Sequence, residues 1–278
     1  EQRVAIDVLF VVDNSLSMAA EQAKVQEAAA DLVPWVWEDD NVRHDTHIGV
    51  ITTDMEDEDQ EGRLHLVNQI RFAGADMTSE QAVEWLGQAV AVGTNGSAQE
   101  RAREAIQAAL MADLVENDGF LQDDAHLMLI VVSDEDDASE TPSTDEFIEM
   151  LDQLKGDAGY SIHAIVYPEV PDCPDGDVGL AHLELVELTL GTTLDVCSPT
   201  YGPYLDAEGQ NVVNGSLEDR FPLSAVPQGA VITVEEVLPN GDTVIRADYD
   251  YANQSHTVIL EDTIKPGGKL RVTYHRVP

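Results

Sequence analysis

The amino-acid sequence predicts an α/β protein: a doubly wound, mostly parallel sheet flanked by helices, followed by a small all-β module. Three observations carry this prediction. Apolar runs rich in β-branched residues recur at 4–12, 47–53, 126–132 and 160–167, the texture of strands covered on both faces. Segments of helical period separate these runs, so β and α alternate to about residue 195, the pattern of a parallel sheet wound by crossover helices. Beyond Arg220 no helical period survives, and short alternating runs take over.

In chain order, residues 4–12 read Val-Ala-Ile-Asp-Val-Leu-Phe-Val-Val and are expected to form a central parallel strand. Residues 17–37 turn helical, with Ala- and Glu-rich turns, and 47–53 return to a strand that ends at Asp54. Residues 63–72 are a candidate edge strand. Helices are expected near 79–90 and 98–115, then a buried strand at 126–132 with Asp134 just beyond it. Ser143 and Glu146 have the spacing of a capping box opening a helix over 145–155. A strand at 160–167, a helix at 178–190 and a last helix within 203–217 complete the first unit.

Short strands are then expected at 230–237, 243–251, 256–260 and 269–277. Asn240-Gly241 supplies the hairpin signal, because both residues tolerate the positive φ of a two-residue turn. Leu270, Val272 and Tyr274 alternate with Arg271, Thr273 and His275, which gives one buried and one wet face. The expected domains are therefore 1–219, α/β, and 220–278, a β-sandwich-like module small enough to lean on its neighbour.

Asp and Glu number 54 against 14 Lys and Arg, for a net charge of -40. That charge repels phosphate backbones and anionic membranes, which excludes nucleic-acid readers. Hydrophobic residues still make up 43% of the 278-residue chain, so the acidity belongs to the surface of a globular protein and not to a disordered tail. Such a surface resembles that of halophilic, salt-adapted proteins; weak bulk cation binding produces the same composition. No run reaches the roughly 20 apolar residues needed to span a bilayer, and no leader precedes the first strand, so a soluble protein without a transmembrane segment is expected. Cys173 and Cys197 lie in Pro- and Asp-rich segments flanking one helical stretch. They suit a single disulfide in an exported protein, with two reduced thiols as the alternative.

The chemistry centres on Asp13-Asn14-Ser15-Leu16-Ser17, between a buried strand and a helix. One carboxylate and two hydroxyls at alternate positions on such a turn can converge on one point. Hard oxygen donors suit Mg²⁺, Mn²⁺ or Ca²⁺ and not zinc. Alone, an Asp-x-Ser-x-Ser string also fits a helix cap; here Val132-Ser133-Asp134 closes a second buried strand and offers a matching carboxylate.

These residues resemble the metal-ion-dependent adhesion site of the von Willebrand factor A family, and members among bacterial secreted or surface proteins in particular. The resemblance covers about residues 4–219. It implies that Asp13, Ser15 and Ser17 are the ligands of the first loop and Asp134 that of the third. The middle loop must come from Gly93-Thr94-Asn95-Gly96-Ser97, where the pattern departs from the family. Counting back from the following helix selects Ser97, and matching the Thr-Asn pair selects Thr94. The implied function is a non-catalytic, exported or surface-located adhesion module. Its ion, not saturated by two aspartates and neutral hydroxyls, keeps an exchangeable position that accepts an Asp or Glu carboxylate from a protein partner.

Other readings compete. Asp57-x-Asp59-x-Glu61-Gly62 resembles the opening of a calcium loop, but Asn68 stands where the closing Glu is required, so a solvated acidic loop is the rival to a second calcium site there. Asp136 and Asp137 are expected to be solvated, and His44 and His47 to have loop or strand-edge roles. An ion that merely ties three loops together, with binding carried by the β module, is the main rival. A metal-dependent phosphohydrolase is a weaker one, since the sequence holds no nucleophile elbow, phosphate-cradling loop with Lys or dinucleotide fingerprint. Asn95, Asn214 and Asn253 open Asn-x-Ser sequons, which carry little weight for a bacterial protein.

Overall fold

A computed structural model describes residues 4–39, 42–112, 114–168, 176–189, 191–215, 220–222, 227–238, 241–246, 249–252, 257–260 and 269–276. β1 (Ala5–Val12) is buried along its whole length after Ala5, which demands cover on both faces. The chain then makes a short 3-10 turn at Leu16–Met18 and enters α1 (Ala19–Trp37). Val25, Ala28, Ala29, Leu32, Val33 and Val36 of α1 recur at helical spacing and form its buried stripe. A small hairpin, β2 (Glu38–Asp39) with β3 (Val42–Arg43), leads to β4 (Asp45–Thr52) and then to β5 (Phe72–Ala73). α2 (Ser79–Ala89), α3 (Ala102–Met111), β6 (His126–Val132), α4 (Thr144–Lys155), β7 (Tyr160–Val166), α5 (Leu180–Leu188), β8 (Thr193–Asp195) and α6 (Gly202–Gly215) follow.

The six-stranded sheet has the order β5-β4-β1-β6-β7-β8, parallel throughout except for β5. From β1 the chain winds outward through β4 to β5, then returns to β6 and winds the other way. The winding reverses between β1 and β6, which is where open α/β sheets form a crevice at the carboxyl ends of their strands. Alternate residues of β1 enter two cores. Ile6, Val8, Phe10 and Val12 join α1, α2 and α6, while Leu9 and Val11 join α3, α4 and α5.

At the opposite end of β1 lies a buried charge. Asp7 accepts hydrogen bonds from the Gln122 N–H (2.8 Å) and Nε2 (3.0 Å). Lys155 Nζ stands 3.8 Å from its carboxylate. Burial raises the Asp7 carboxyl above its ordinary range even with these partners.

Several boundaries differ from expectation for physical reasons. The edge strand expected over 63–72 is only Phe72–Ala73, because Asn68 and Gln69 take positive φ (50° and 69°) and fold the run into a tight turn bridged by Val67 and Ile70. The helix expected from 98 begins at Ala102, because the Arg101 N–H is held by the Thr53 carbonyl at 3.0 Å. Among the described residues, none of the helices is long and apolar enough to cross a membrane.

The C-terminal strands are β9 (Arg220–Pro222), β10 (Pro227–Val237), β11 (Thr243–Arg246), β12 (Tyr249–Ala252), β13 (Thr257–Leu260) and β14 (Lys269–Arg276). They form two antiparallel sheets, β11-β10-β14 and β12-β13-β9. The run expected as one strand over 243–251 is thus divided between two sheets. In the β10–β11 hairpin the Gly241 N–H bonds to the Leu238 carbonyl at 2.8 Å and Gly241 has φ +88°. Gly241 thus closes the turn at positive φ; Asn240 lies outside the described residues.

Candidate metal centre

Asp13 and Asp134 stand at the ends of β1 and β6, the two neighbours flanking the switch in winding. The Asp13 N–H bonds to the Val132 carbonyl at 2.9 Å, and the Ser133 N–H to the Ile165 carbonyl at 3.1 Å. The sheet itself thereby fixes where both loops start.

From these starts the polar groups link up. Asp13 is 0% exposed; its Oδ1 accepts from the Ser15 N–H and its Oδ2 from the Ser133 hydroxyl, both at 2.7 Å. The Ser15 and Ser17 hydroxyls are 3.1 Å apart, and Ser17 Oγ donates to Asp134 Oδ1 at 3.1 Å. Asp13, Ser15, Ser17 and Asp134 therefore form one hydrogen-bonded chain across two loops 117 residues apart in sequence. Ser15 is buried and Ser17 exposed, so the cup has a closed floor and an open rim.

The middle loop docks on the first. The Gly96 N–H bonds to the Asn14 carbonyl at 2.8 Å, and any side chain at Gly96 would collide with Asn14 Oδ1, 2.2 Å from where its Cβ would lie. Gln22, from α1, donates to the carbonyls of Asp13 (3.0 Å) and Gly93 (2.8 Å) and accepts from the Gly93 N–H (3.3 Å). Ser97 is committed elsewhere: its N–H bonds to Asp54 Oδ2 and its hydroxyl to Glu56 Oε2, both at 3.0 Å. Among the described residues no hydrogen bond joins Thr94 or Ser97 to the four residues of the chain.

One residue that the sequence reading missed belongs here. Glu100 is 1% exposed. Its Oε2 accepts from the Thr53 hydroxyl, and its Oε1 has no hydrogen-bond partner. Its carbonyl accepts from the Ala138 N–H at 2.7 Å, so the segment is pinned to the third loop. Burial first, then the charge of Asp13, pushes the Glu100 carboxyl up to about 8; Glu135 and Asp54 push the same way, against the Thr53 hydrogen bond. Asp134 is raised by burial, with Asp13 and Glu21 adding repulsion, and Glu135 by burial together with Asp13, Asp134 and Asp177.

These acids crowd together while the neighbouring cations face other partners. Lys24 pairs with Glu21 (3.6 Å), Arg101 with Glu56 (3.8 Å) and Glu104 (3.7 Å), and Arg103 with Asp137 (2.6 Å). A divalent ion on oxygen donors fits such a cup, because it supplies the charge that the side chains do not. Among the described residues no group of three or more Asp, Glu, His or Cys side chains is placed to hold a metal by itself.

The remaining candidates resolve locally. Asp57 turns back to accept from the Asp59 N–H at 3.0 Å, and Glu61, at φ +33°, faces Arg63 at 3.5 Å. Asp57, Asp59 and Glu61 are thus not gathered around a common point. His47 Nδ1 lies 2.6 Å from the Phe120 carbonyl, a strand-edge role. Asp137, expected in solvent, is buried because Arg103 and the Ser139 hydroxyl (2.6 Å) claim its carboxylate. Asp136 accepts from the Ala181 N–H at 2.9 Å, at the start of α5. Cys197 is engaged in a disulfide; Cys173 lies outside the described residues.

Fold and site together define a doubly wound α/β protein with an acidic, hydroxyl-lined cup at its switch point. No family model matches the chain, and no curated protein matches it in sequence. Among solved structures the chain is similar to proximal thread matrix protein 1 from the mussel byssus. In one crystal form the TM-score is 0.49 at 11% identity, covering 80% of this chain and 51% of that one. In another it is 0.48 at 12% identity, over 77% and 48%. The match thus spans about half the length of the mussel protein.

Proposed function

We propose that this protein is a non-catalytic, divalent-cation-dependent protein-binding module of the von Willebrand factor A type. In this reading Asp13, Ser15, Ser17 and Asp134 hold Mg²⁺, or Mn²⁺ or Ca²⁺, and the ion binds an Asp or Glu carboxylate of a protein partner. The observation that carries it is the hydrogen-bonded chain from Asp13 through Ser15 and Ser17 to Asp134, closed at the floor and open at the rim. Leu16, 83% exposed between the two serines, offers the partner an apolar contact beside the ion.

Two observations favour recognition over its rivals. The loops are already joined without an ion, through Gln22 to Gly93, Gly96 to Asn14 and Ala138 to Glu100. An ion serving only as a tie would duplicate these bonds. Nor do basic side chains stand ready to help an ion hold a phosphate group: Lys24, Arg101 and Arg103 face acids instead. Export is part of the same reading and is supported by the engaged Cys197.

The test is capture from a native extract on immobilised protein. Capture is expected to vanish in chelator, to return with Mg²⁺ or Mn²⁺, and to be absent for Asp13→Ala. Capture indifferent to chelator, or undiminished in Asp13→Ala, would defeat the reading.

A further inference from the structure

At the β5 edge of the large sheet lies a cleft of about 790 Å³, within the size range of small-ligand pockets. His47 of β4 and Phe72 of β5 line it from the sheet, Trp85 and Gln88 from α2, and Asn68 and Gln69 from the turn before β5. Two of these residues are held at a cost to the fold. Val67 and Ile70 exchange backbone hydrogen bonds of 3.0 and 2.9 Å, so Asn68 and Gln69 are the central residues of a hairpin turn, both at positive φ. Glycine is favoured at the second of these positions. The chain carries a glutamine there instead, and among the described residues its carboxamide makes no hydrogen bond. Trp85, 4% exposed, keeps an indole N–H that has no hydrogen-bond partner, and a buried donor left unmet costs stability. Costs of this kind collect at ligand sites.

The lining selects the ligand. Arg71 gives its Nη1 to the Leu64 carbonyl and is outnumbered in the cleft by Asp76 and Glu84, so an anion finds no receptive charge. Asn68, Gln69, Gln81 and Gln88 are exposed carboxamides. A carboxamide both donates and accepts, as a sugar hydroxyl does, while Ile70, Phe72 and Met77 offer apolar surface to the C–H face of a sugar ring. Asn68 Nδ2 donates to Gln88 Oε1 at 3.2 Å, which ties the turn to α2. We propose that this cleft binds a neutral saccharide, whose hydroxyls bond to the carboxamides of Asn68, Gln69 and Gln88. The cleft is separate from the cup between β1 and β6, and the proposal does not depend on the cation reading.

The test is an array of neutral and sialylated glycans probed with the whole chain. Calorimetric titration of the best neutral glycan, and of tetramethylammonium, into the natural protein, Gln69→Gly and Gln88→Ala follows, in chelator and in Mg²⁺. A neutral glycan is expected to bind equally in both buffers. Gln69→Gly relaxes the turn and is expected to melt no lower than the natural protein, yet to bind about 10-fold more weakly, the effect of losing one hydrogen-bonding group; Gln88→Ala is expected to weaken binding similarly. An array that captures no glycan, or sialylated glycans alone, would overturn the proposal. So would tighter binding of tetramethylammonium, undiminished binding in both variants, or a Gln69→Gly that melts below the natural protein, which would mark a structural residue. Binding lost in chelator would put the glycan at the cup and overturn it too.

Discussion

Replacing Asp13 by Asn separates what the cup does for the fold from what it does for an ion. In the cation-free protein Asp13 accepts two hydrogen bonds of 2.7 Å, from the Ser15 N–H and the Ser133 hydroxyl. Asn retains the oxygen that faces Ser15. Its amide N–H₂ would meet the Ser133 hydroxyl, which can turn its proton to the Glu135 carbonyl at 3.2 Å. The loss is the difference between charge-assisted and neutral bonds, about 1–2 kcal/mol, offset by the relief of Glu100 and Asp134, both of which Asp13 repels. The cation-free stability of Asp13→Asn is therefore expected to stay within about 1 kcal/mol of the natural protein. The natural protein should gain about 2.7 kcal/mol at a cation concentration 100 times Kd, and a further 1.4 kcal/mol for each tenfold increase. For a chain of this size the first gain raises Tm by roughly 5–10 °C, and Asp13→Asn should show no rise. Scanning calorimetry in chelator and at graded Mg²⁺, Mn²⁺ and Ca²⁺ reads both quantities. A natural protein whose Tm ignores all three ions, or an Asp13→Asn that shifts as the natural protein does, would refute the reasoning.

Three further outcomes are expected. Lys155→Met strands the Asp7 carboxylate in the core and should cost about 3–5 kcal/mol in urea unfolding at neutral pH, with most of the loss recovered by adding Asp7→Asn; a loss below about 1 kcal/mol would show the pair to be inconsequential. Because burial already raises Asp7 and Lys155 holds it down, the cost should shrink as pH falls toward the ordinary value of 3.8, where the folded carboxyl is protonated. His163 is lowered to about 4, since burial penalises its charged form. A base with a depressed folded pKa contributes stability that is complete above 6.5 and lost as pH falls toward 4, so the urea midpoint should drop over that window, and drop less in His163→Gln. Ser143→Ala removes the capping box of α4, in which the Ser143 hydroxyl and N–H face the Glu146 carboxylate at 2.8 and 2.9 Å; about 1 kcal/mol should be lost by thermal melting.

What could be read from the sequence was whatever depends on neighbours along the chain. β6 falls on the expected residues 126–132 because an unbroken apolar run ends abruptly at Ser133. The α4 cap and the first loop were legible for the same reason: Ser143 with Glu146, and Asp13 with Ser15 and Ser17, announce themselves by spacing. The turn at Asn68 and Gln69 was not, since neither residue type demands positive φ. Glu100 was hidden by its surroundings. An acid just ahead of a helix is favoured by the helix dipole wherever it lies, and among 54 acids it reads as one more solvated charge. Only its burial, fixed by bonds to Thr53 and Ala138 in distant segments, marks it out. Asp137 was misjudged in the same way, because the Arg103 that buries it lies 34 residues earlier.

The same distinction separates a specific site from the general acidity of the chain. A net charge of -40 attracts divalent ions everywhere on the surface, and a titration at low salt would register them whether or not the cup exists. Exposed carboxylates act through water and are screened beyond roughly 8–10 Å at physiological ionic strength, and beyond about 3 Å in molar salt. Asp13 and Asp134, at 0% and 9% exposure, are shielded from mobile ions by the protein around them, so an ion bound between them is expected to lose little of its attraction when salt is added. Raising NaCl from about 0.1 M to 1 M, a tenfold change in ionic strength, should therefore erase the many weak surface sites while leaving one cation per chain bound to the natural protein and none to Asp13→Asn. A protein adapted to high salt would need its site built in this way, with the carboxylates buried and the hydroxyl rim open, because in brine only buried charge discriminates.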